Sequence, residues 1–448
     1  MKKAFKAYDI RGVYDKDFNK EDVYKIGFFL PGLLNASEVL VGRDVRHSSG
    51  EVFEALSAGI TDAGAHVKDA GLCTTPMVYW ATARYGFKAS VQITASHNPK
   101  EYNGLKVSRE NALPVGYDSG LKSLLQMAQN NNVTVAAKKG AVSRFDFRKD
   151  YIDFQKQYQK NTSGLRVVAD CSNGMAGIII KQIAGNAVSY LNFTPDGSFP
   201  NHEPNPLVEA NAETLKQAVI NSGADVGALF DGDADRATFI DEKGRVVSPD
   251  LIIAVLGHHF LKDGHKSTPV LQDIRTSKAV GEYLAPMGAR MHTWRVGRAY
   301  AALKLREIDG SFGGELAGHY YFKDFYYSDS GILAFTFVTN ILADFKAKGI
   351  SFSQLLESIS PYANSGEINF TINEKHKAME AVKDHFMQQQ QPDHFFDFDG
   401  YRLEYPEWWF NIRPSNTEPY LRFLAEAKNE DLLAEKIAEV KKILEAFS

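Results

Sequence analysis

The sequence predicts an α/β protein: three related α/β domains with mixed sheets, plus a smaller α+β domain at the C-terminus, around one central cleft. Three observations lead there. An apolar strand followed by Asp, a polar turn and a helix occurs three times, at residues 39–58, 165–176 and 269–284. After each copy come two more strands, the last ending in a polar loop whose chemistry differs from copy to copy. From about residue 363 the pattern changes to alternating strands and two helices. Strands alternating with helices imply parallel or mixed sheets covered on both faces.

The bulk numbers agree. A chain of 448 residues exceeds one ordinary core. It is 44% hydrophobic and 24% charged, as folded proteins are. A net charge of −4 provides no basic excess for nucleic acid or an anionic membrane, so any anion site must be local. Cys73 and Cys171 are too few and too far apart for a disulfide framework or a Cys-rich zinc site. No apolar leader or membrane-length run occurs, so the cytoplasm is the expected compartment.

The first copy begins after a short strand or turn at residues 8–14 and a helix near residues 21–30. Its first strand ends at Asp44, Arg46 and Ser48, and a helix runs through residue 58. A strand from residue 65 reaches residue 72, and a third, at residues 90–93, enters Thr94-Ala95-Ser96-His97-Asn98-Pro99. The second copy has Asp170 and Ser172, a strand at 188–191, and a strand at 226–230 ending in Asp231-Gly232-Asp233-Ala234-Asp235-Arg236. The third has Asp273, Arg275 and Ser277, then a strand at 290–294 ending in Arg295-Val296-Gly297-Arg298. Residues 310–312 lead into Gly313-Gly314-Glu315-Leu316-Ala317-Gly318-His319. The intervals between marker Asp and loop are unequal, which excludes a solenoid. The tail reads as strands at 366–372, 401–405, 408–413 and 420–427, with helices at 375–388 and 430–446. The expected domains are 1–142, 143–246, 247–362 and 363–448. Linkers are expected near 140–145, 243–250 and 360–365.

Four loops carry chemistry. Ser96, at a strand end, is a candidate nucleophile, with His97 a candidate proton carrier. Asp231, Asp233 and Asp235 alternate, and carboxylates so close repel unless a cation joins them. An EF-hand is excluded by Arg236 at the position that needs Gly and by strands on both flanks. That leaves a metal loop or a solvated acidic turn, and the adjacent Arg236 favours a phosphate-bound metal. Arg413-Pro414-Ser415-Asn416-Thr417-Glu418-Pro419, with Arg422, offers guanidinium, hydroxyl, amide and backbone donors suited to a phosphate. Glu315 and His319 could meet sugar hydroxyls and a proton, and Lys106 lies just beyond the serine loop.

Together these loops resemble those of the α-D-phosphohexomutase family, in its phosphomannomutase/phosphoglucomutase branch. Residues 94–99 resemble its phosphoserine loop, 231–236 its metal loop, 314–319 its sugar loop and 413–419 its phosphate loop. Tyr8-Asp9-Ile10-Arg11-Gly12 fits its beginning. The motifs fall in family order and span nearly the whole chain.

The resemblance implies four domains around one cleft and reversible transfer of phosphate between the 1- and 6-positions of a hexose phosphate. Transfer would pass through phosphorylated Ser96 and a glucose or mannose 1,6-bisphosphate, with Mg²⁺ on Asp231, Asp233, Asp235 and the phosphoserine. Ser96, Arg11, Lys106, His97 and Arg236 are the implied catalytic residues. Tyr8, Arg295, Arg298, Glu315, Ala317 and His319 would meet the sugar. Arg413, Ser415, Asn416, Thr417 and Arg422 would grip the far phosphate. The expected partner is a small hexose phosphate, on a monomer or a dimer, with no nucleic acid and no membrane. Two departures bear on sugar preference: Ala317 stands where the family often has Ser, and Arg295 and Arg298 where the branch often has Lys and His. The rival readings are a haloacid-dehalogenase-like phosphatase with Asp231 as nucleophile, a mutase preferring glucosamine or N-acetylglucosamine phosphate, and an inactive sugar-phosphate binder.

Overall fold

The structure is a computed structural model that describes residues 1–262, 267–415 and 420–447. Three sheets repeat one topology. In the first, His66–Leu72, Glu38–Arg43 and Ala89–Ile93 lie side by side and parallel, and Tyr102–Arg109 adds antiparallel to Ala89–Ile93. In the second, Val188–Leu191, Val167–Asp170 and Val226–Phe230 are followed by antiparallel Ala237–Asp241. In the third, Ala289–Trp294, Thr268–Asp273 and Phe312–Gly314 are followed by antiparallel Tyr320–Phe322. The serine, metal and sugar loops therefore occupy one topological place, the turn from the last parallel strand into its antiparallel neighbour.

The marker aspartates explain the repeated turn. Asp44, Asp170 and Asp273 each accept the backbone N–H two residues on, from Arg46, Ser172 and Arg275, at 2.6–3.0 Å. Such a side-chain turn ends the strand and starts the path to the helix.

Several elements differ from the sequence expectation. Tyr102–Arg109, for which the sequence reading assigns no element, is a strand and places Lys106 in the sheet just beyond the serine loop. Val142–Arg144, where a linker and a boundary after residue 142 are expected, pairs with His66–Leu72 at the sheet edge. All three of its residues are exposed, so it lacks the burial that makes a strand legible. Likewise Val246–Val247 and Ala363–Asn364 are short strands within expected linkers. The helix expected from residue 176 is a 3-10 turn, Met175–Ile178, followed by a short α-helix, Ile180–Ala184.

One apolar core runs through parts of the first three units, from Leu40 and Trp80 through Phe230 and Ile253 to Phe335. Helix Gly331–Lys346 is buried on all sides over its first twelve residues and lies in this core. The fourth sheet is antiparallel, with Tyr420–Ala427 central, and its core is separate. It meets the third unit through polar contacts. Arg402 donates to the carbonyls of Ile274 and Thr276 at 2.8 and 2.5 Å, and Glu426 accepts from Ser277 Oγ at 2.6 Å. Among the described residues no helix is long and apolar enough to cross a membrane.

Candidate active site

The buried strand Ala89–Ile93 delivers Ser96 into a turn, where its N–H donates to Thr94 Oγ1 at 2.9 Å. Ser96 has φ of 52°, a left-handed conformation that persists in a non-glycine only when its surroundings impose it. Arg46 imposes it. Anchored on Asp44, its guanidinium donates to the carbonyls of Ser96, Asn98, Pro99 and Tyr102 at 2.6–3.1 Å.

The metal loop closes on the serine from the second unit. Ser96 Oγ donates to Asp231 Oδ2 at 2.7 Å, and Arg236 reaches both, with Nη2 at 3.4 Å from Oγ and Nε at 2.9 Å from Oδ2. Gly232 permits the approach, since a Cβ there would stand 2.5 Å from the Ser96 carbonyl oxygen. Thr75 donates its N–H to the Asp233 carbonyl at 3.0 Å and its hydroxyl to the Asp233 carboxylate. Lys106 Nζ bridges Asp233 Oδ2 and Asp235 Oδ2 at 2.7 and 2.5 Å.

These groups are fully buried or nearly so, and charge follows from that. Burial, with Asp235 adding to it, pushes Asp231 up to about 7. Burial pulls Lys106 down, but Asp233 and Asp235 more than reverse this and hold it cationic. Burial likewise opposes the charge on Arg11, and Asp9 overcomes it. Arg11 Nη1 then donates to Asn98 Oδ1 at 2.9 Å. His97, whose Nδ1 lies 3.5 Å from Ser96 Oγ, is kept neutral by burial and by the nearby Arg236 and Arg11.

The aspartates fit a hard divalent cation. One oxygen from each of Asp231, Asp233 and Asp235 lies within 4.8 Å of the others. Oδ1 of Asp233 and Oδ1 of Asp235 are buried and accept no hydrogen bond. Orphaned carboxylate oxygens this deep are costly unless a cation takes them.

The sugar loop is stitched to the metal loop by backbone. Arg236 and His319 form an antiparallel bridge, and Gly331 N–H donates to the Ala234 carbonyl at 3.2 Å. His319 Nδ1 lies 2.6 Å from Asp329 Oδ2 and 3.9 Å from Asp235 Oδ1. Burial lowers the His319 pKa, and the two aspartates more than compensate, leaving it above its ordinary value. The other Asp329 oxygen accepts from Arg298 Nε at 2.8 Å. Glu315 already accepts from Gly297 N–H and from the Tyr321 hydroxyl, both at 2.6 Å, so a sugar hydroxyl would use its remaining lone pairs. Ala317 is half-buried and adds no polar group. Tyr8 donates its hydroxyl to the Val296 carbonyl at 3.0 Å, and Arg295 Nη2 donates to the Phe398 carbonyl at 3.2 Å. The segment 295–298 thus meets both the first unit and the fourth.

In the phosphate loop, Arg413 stands opposite Arg422 on the adjacent strand. Arg413 is 3% exposed, its nearest acid among the described residues is Asp399 at 3.6 Å, and its Nε and Nη1 are buried without a hydrogen bond among those residues. Burial and then Arg275 depress its pKa. A buried, underpaired guanidinium is the signature of a missing anion. Arg422 pairs with Glu367 at 3.0 Å, and Ser415 N–H donates to the Tyr420 carbonyl at 2.9 Å. Asn416 and Thr417 lie outside the described residues.

Sequence reasoning passed over Arg46, Thr75, Arg275, Asp329 and Asp399 as site residues. A signal existed for Arg46 and Arg275, which hold the same place two residues after a marker Asp. None existed for Asp329, whose partners His319 and Arg298 are assembled by the fold.

Three sheets of one topology and a fourth antiparallel one, with Ser96, the Asp231 loop and buried Arg236 within hydrogen-bonding reach of one another, have the make-up of a phosphohexomutase. Family models for phosphoglucomutase/phosphomannomutase match along the chain: α/β/α domain I at residues 2–132, domain II at 149–244, domain III at 248–362 and the C-terminal domain at 367–443. The chain belongs to this family of α-D-phosphohexomutase enzymes. It is 34% identical to a phosphomannomutase of Salmonella montevideo, with 99% of each chain covered. It is 32% identical to one of Methanocaldococcus jannaschii, covering 98% of this chain and 97% of that one. The crystal structure of a phosphoglucomutase/phosphomannomutase family protein from Burkholderia thailandensis superposes with a TM-score of 0.89 at 26% identity, over 100% of this chain and 98% of that one.

Proposed function

We propose that the enzyme interconverts the 1- and 6-phosphates of mannose or glucose through a phosphorylated Ser96 and a hexose 1,6-bisphosphate. The observation that carries this reading is the Ser96 hydroxyl held between Asp231 and Arg236, beside buried carboxylate oxygens that accept no hydrogen bond among the described residues. In the first transfer the bond from phosphorus to Ser96 Oγ breaks and a bond to a sugar hydroxyl oxygen forms. The hydroxyl proton leaves to a base, and Ser96 Oγ takes up a proton. The bisphosphate then reorients, and its other phosphate returns to Ser96 by the reverse steps. Mg²⁺ in the Asp231, Asp233 and Asp235 loop, when bound, neutralises charge on the phosphoryl oxygens.

The chain's own residues divide the remaining work. Arg236 orients the phosphoryl group, and Lys106 and Arg11, held charged, donate hydrogen bonds to it. Neutral His97 serves as a contact. His319, paired to Asp329, is the group suited to exchanging protons with the sugar. Arg413, Ser415, Asn416, Thr417 and Arg422 grip the far phosphate, while Tyr8, Arg295, Arg298 and Glu315 bind the ring. A trace of glucose or mannose 1,6-bisphosphate would activate the enzyme. Two buried free cysteines suit a cytoplasmic setting. The phosphatase reading fares worse, because Asp231 Oδ2 already accepts from Ser96 and Arg236 and is a poor nucleophile there.

The test is a coupled assay with mannose, glucose, glucosamine and N-acetylglucosamine phosphates, Mg²⁺ and a trace of bisphosphate, alongside peptide mapping of the phosphate. Turnover of mannose or glucose phosphate with phosphate on Ser96 is expected. Release of inorganic phosphate without isomerisation, or phosphate on Asp231, would overturn the reading.

A further inference from the structure

We propose that His202, as an imidazolium, locks the loop of residues 192–204 onto Asp170 and so positions the serine and metal loops for phosphoryl transfer. His202 is thus a positioning residue. The proposal deepens the mutase reading and rests on it.

The three-fold repeat singles His202 out. In the first and third units the marker Asp pairs with the Arg two residues on, Asp44 with Arg46 and Asp273 with Arg275. The second unit has Ser172 at that place, and Asp170 takes its cation from a distant loop: His202 Nε2 lies 3.3 Å from Asp170 Oδ2. The other ring nitrogen, Nδ1, lies 2.8 Å from the Glu203 carbonyl oxygen. A carboxylate and a carbonyl only accept, so both nitrogens must donate, and only the protonated ring does that. Asp170 is fully buried and the His202 side chain is 9% exposed. Burial opposes the charge on His202, and the bonds to Asp170 and to the Glu203 carbonyl overcome it, leaving its pKa above the ordinary 6.5. Among the described residues Asp170 is the charged group that faces the ring. Asn192, which donates to the same carboxylate oxygen at 2.9 Å, is neutral, and Glu203 is exposed.

The loop that His202 fastens is a wedge between the first two units. Gly197 abuts Val45, where a Cβ would stand 2.4 Å from the carbonyl oxygen, and the Phe199 ring lies 5.0 Å from the Arg46 guanidinium. Pro204 lies against Gly232, whose Cβ would meet it at 3.3 Å. Arg46 holds the Ser96 carbonyl at 2.9 Å, and Gly232 closes on that same carbonyl. The wedge therefore touches both groups that set the position of Ser96. Phe199 has φ of 48°, a left-handed conformation that its surroundings must impose. A neutral His202 would give up one of its two bonds and let Phe199 and Pro204 draw back from Arg46 and Gly232. Small displacements of reacting groups are costly to turnover, so the loss should fall on kcat more than on KM.

The experiment follows the His202 ring by NMR in the Mg²⁺-loaded full-length protein, with the signal assigned through His202→Gln. Alongside, kcat and KM are measured from about pH 6 to 9 for wild type, His202→Gln and His202→Lys, with glucose 1-phosphate and a trace of the bisphosphate. A His raised on folding contributes its bonds below its unfolded pKa and loses them as pH rises through its folded pKa. The ring should titrate above 6.5, and wild-type kcat should fall with the same ionisation. His202→Gln should lower kcat at least about ten-fold, move KM less than about three-fold and lack that step. His202→Lys, charged throughout, should recover most of kcat and also lack the step. Should His202→Gln fail to fold, the Lys variant supplies the assignment, and the match between ring titration and wild-type kcat still decides. A ring titrating below 6.5, a kcat step unchanged in the variants, a loss confined to KM, or a Lys variant no better than Gln would each overturn the proposal. The ring titration needs no turnover, so wild-type inactivity on every hexose phosphate would indict the mutase reading and not the lock.

Discussion

The Ser96 hydroxyl and the Asp231 carboxylate, 135 residues apart in sequence, meet at 2.7 Å. Each ends the last parallel strand of its own unit, so the contact is one between two copies of a repeated fold. Replacing Ser96 removes the transferred group's anchor and little packing. Ser96→Ala should lose isomerase activity by at least about a thousand-fold and keep its melting temperature within a few degrees. The phosphate should disappear from the intact mass. Retained activity would show that another residue carries the phosphate.

Gly232 faces the Ser96 carbonyl with no room for a side chain. Gly232→Ala must push the two loops apart by several tenths of an ångström. The expected cost is about 1–3 kcal/mol of stability and on the order of a hundred-fold in kcat, with KM less affected. Urea titration and steady-state kinetics read both.

Lys106 neutralises Asp233 and Asp235 in a buried site. Lys106→Met leaves those carboxylates uncompensated, which should cost about 3–5 kcal/mol in the presence of chelator. Added Mg²⁺ should restore part of that loss, because it binds the same oxygens. Equal melting temperatures with and without Mg²⁺ in this variant would argue against metal at the triplet.

Arg413 presents the reverse case, a buried cation awaiting an anion. Arg413→Gln should leave thermal stability unchanged or slightly higher and raise KM at least about ten-fold, with a smaller effect on kcat. A lower melting temperature with unchanged KM would assign Arg413 to structure alone.

Glu426 gives a pH dependence at the contact between the third and fourth units. Burial, with Asp250 adding to it, raises its pKa from 4.5 to about 7, although Ser277, Trp409 and Asn364 all donate to it. A carboxyl raised on folding contributes stability that is complete below its unfolded pKa and is lost as pH rises through 7. The shift corresponds to roughly 3 kcal/mol. Glu426→Gln should therefore flatten the decline in stability between pH 5 and 7 and be the more stable form at pH 8. Parallel wild-type and variant curves across that range would refute this.

The sequence by itself determined the class of fold, the family and the residue types of the four loops. Strand periodicity, the marker aspartates and residue types such as the Asp triplet are local properties, legible without neighbours. Short exposed strands such as Val142–Arg144 carry no apolar pattern and were legible only as linker. What tertiary structure alone decided is pairing. Lys106 lies on two aspartates of another unit, Asp329 is divided between His319 and Arg298, and Arg298 lies over Tyr79. Those contacts set which groups stay charged and which oxygens remain for a metal or a sugar. Burial and Coulomb energy depend on distance in space, and the chain order of these residues does not encode it.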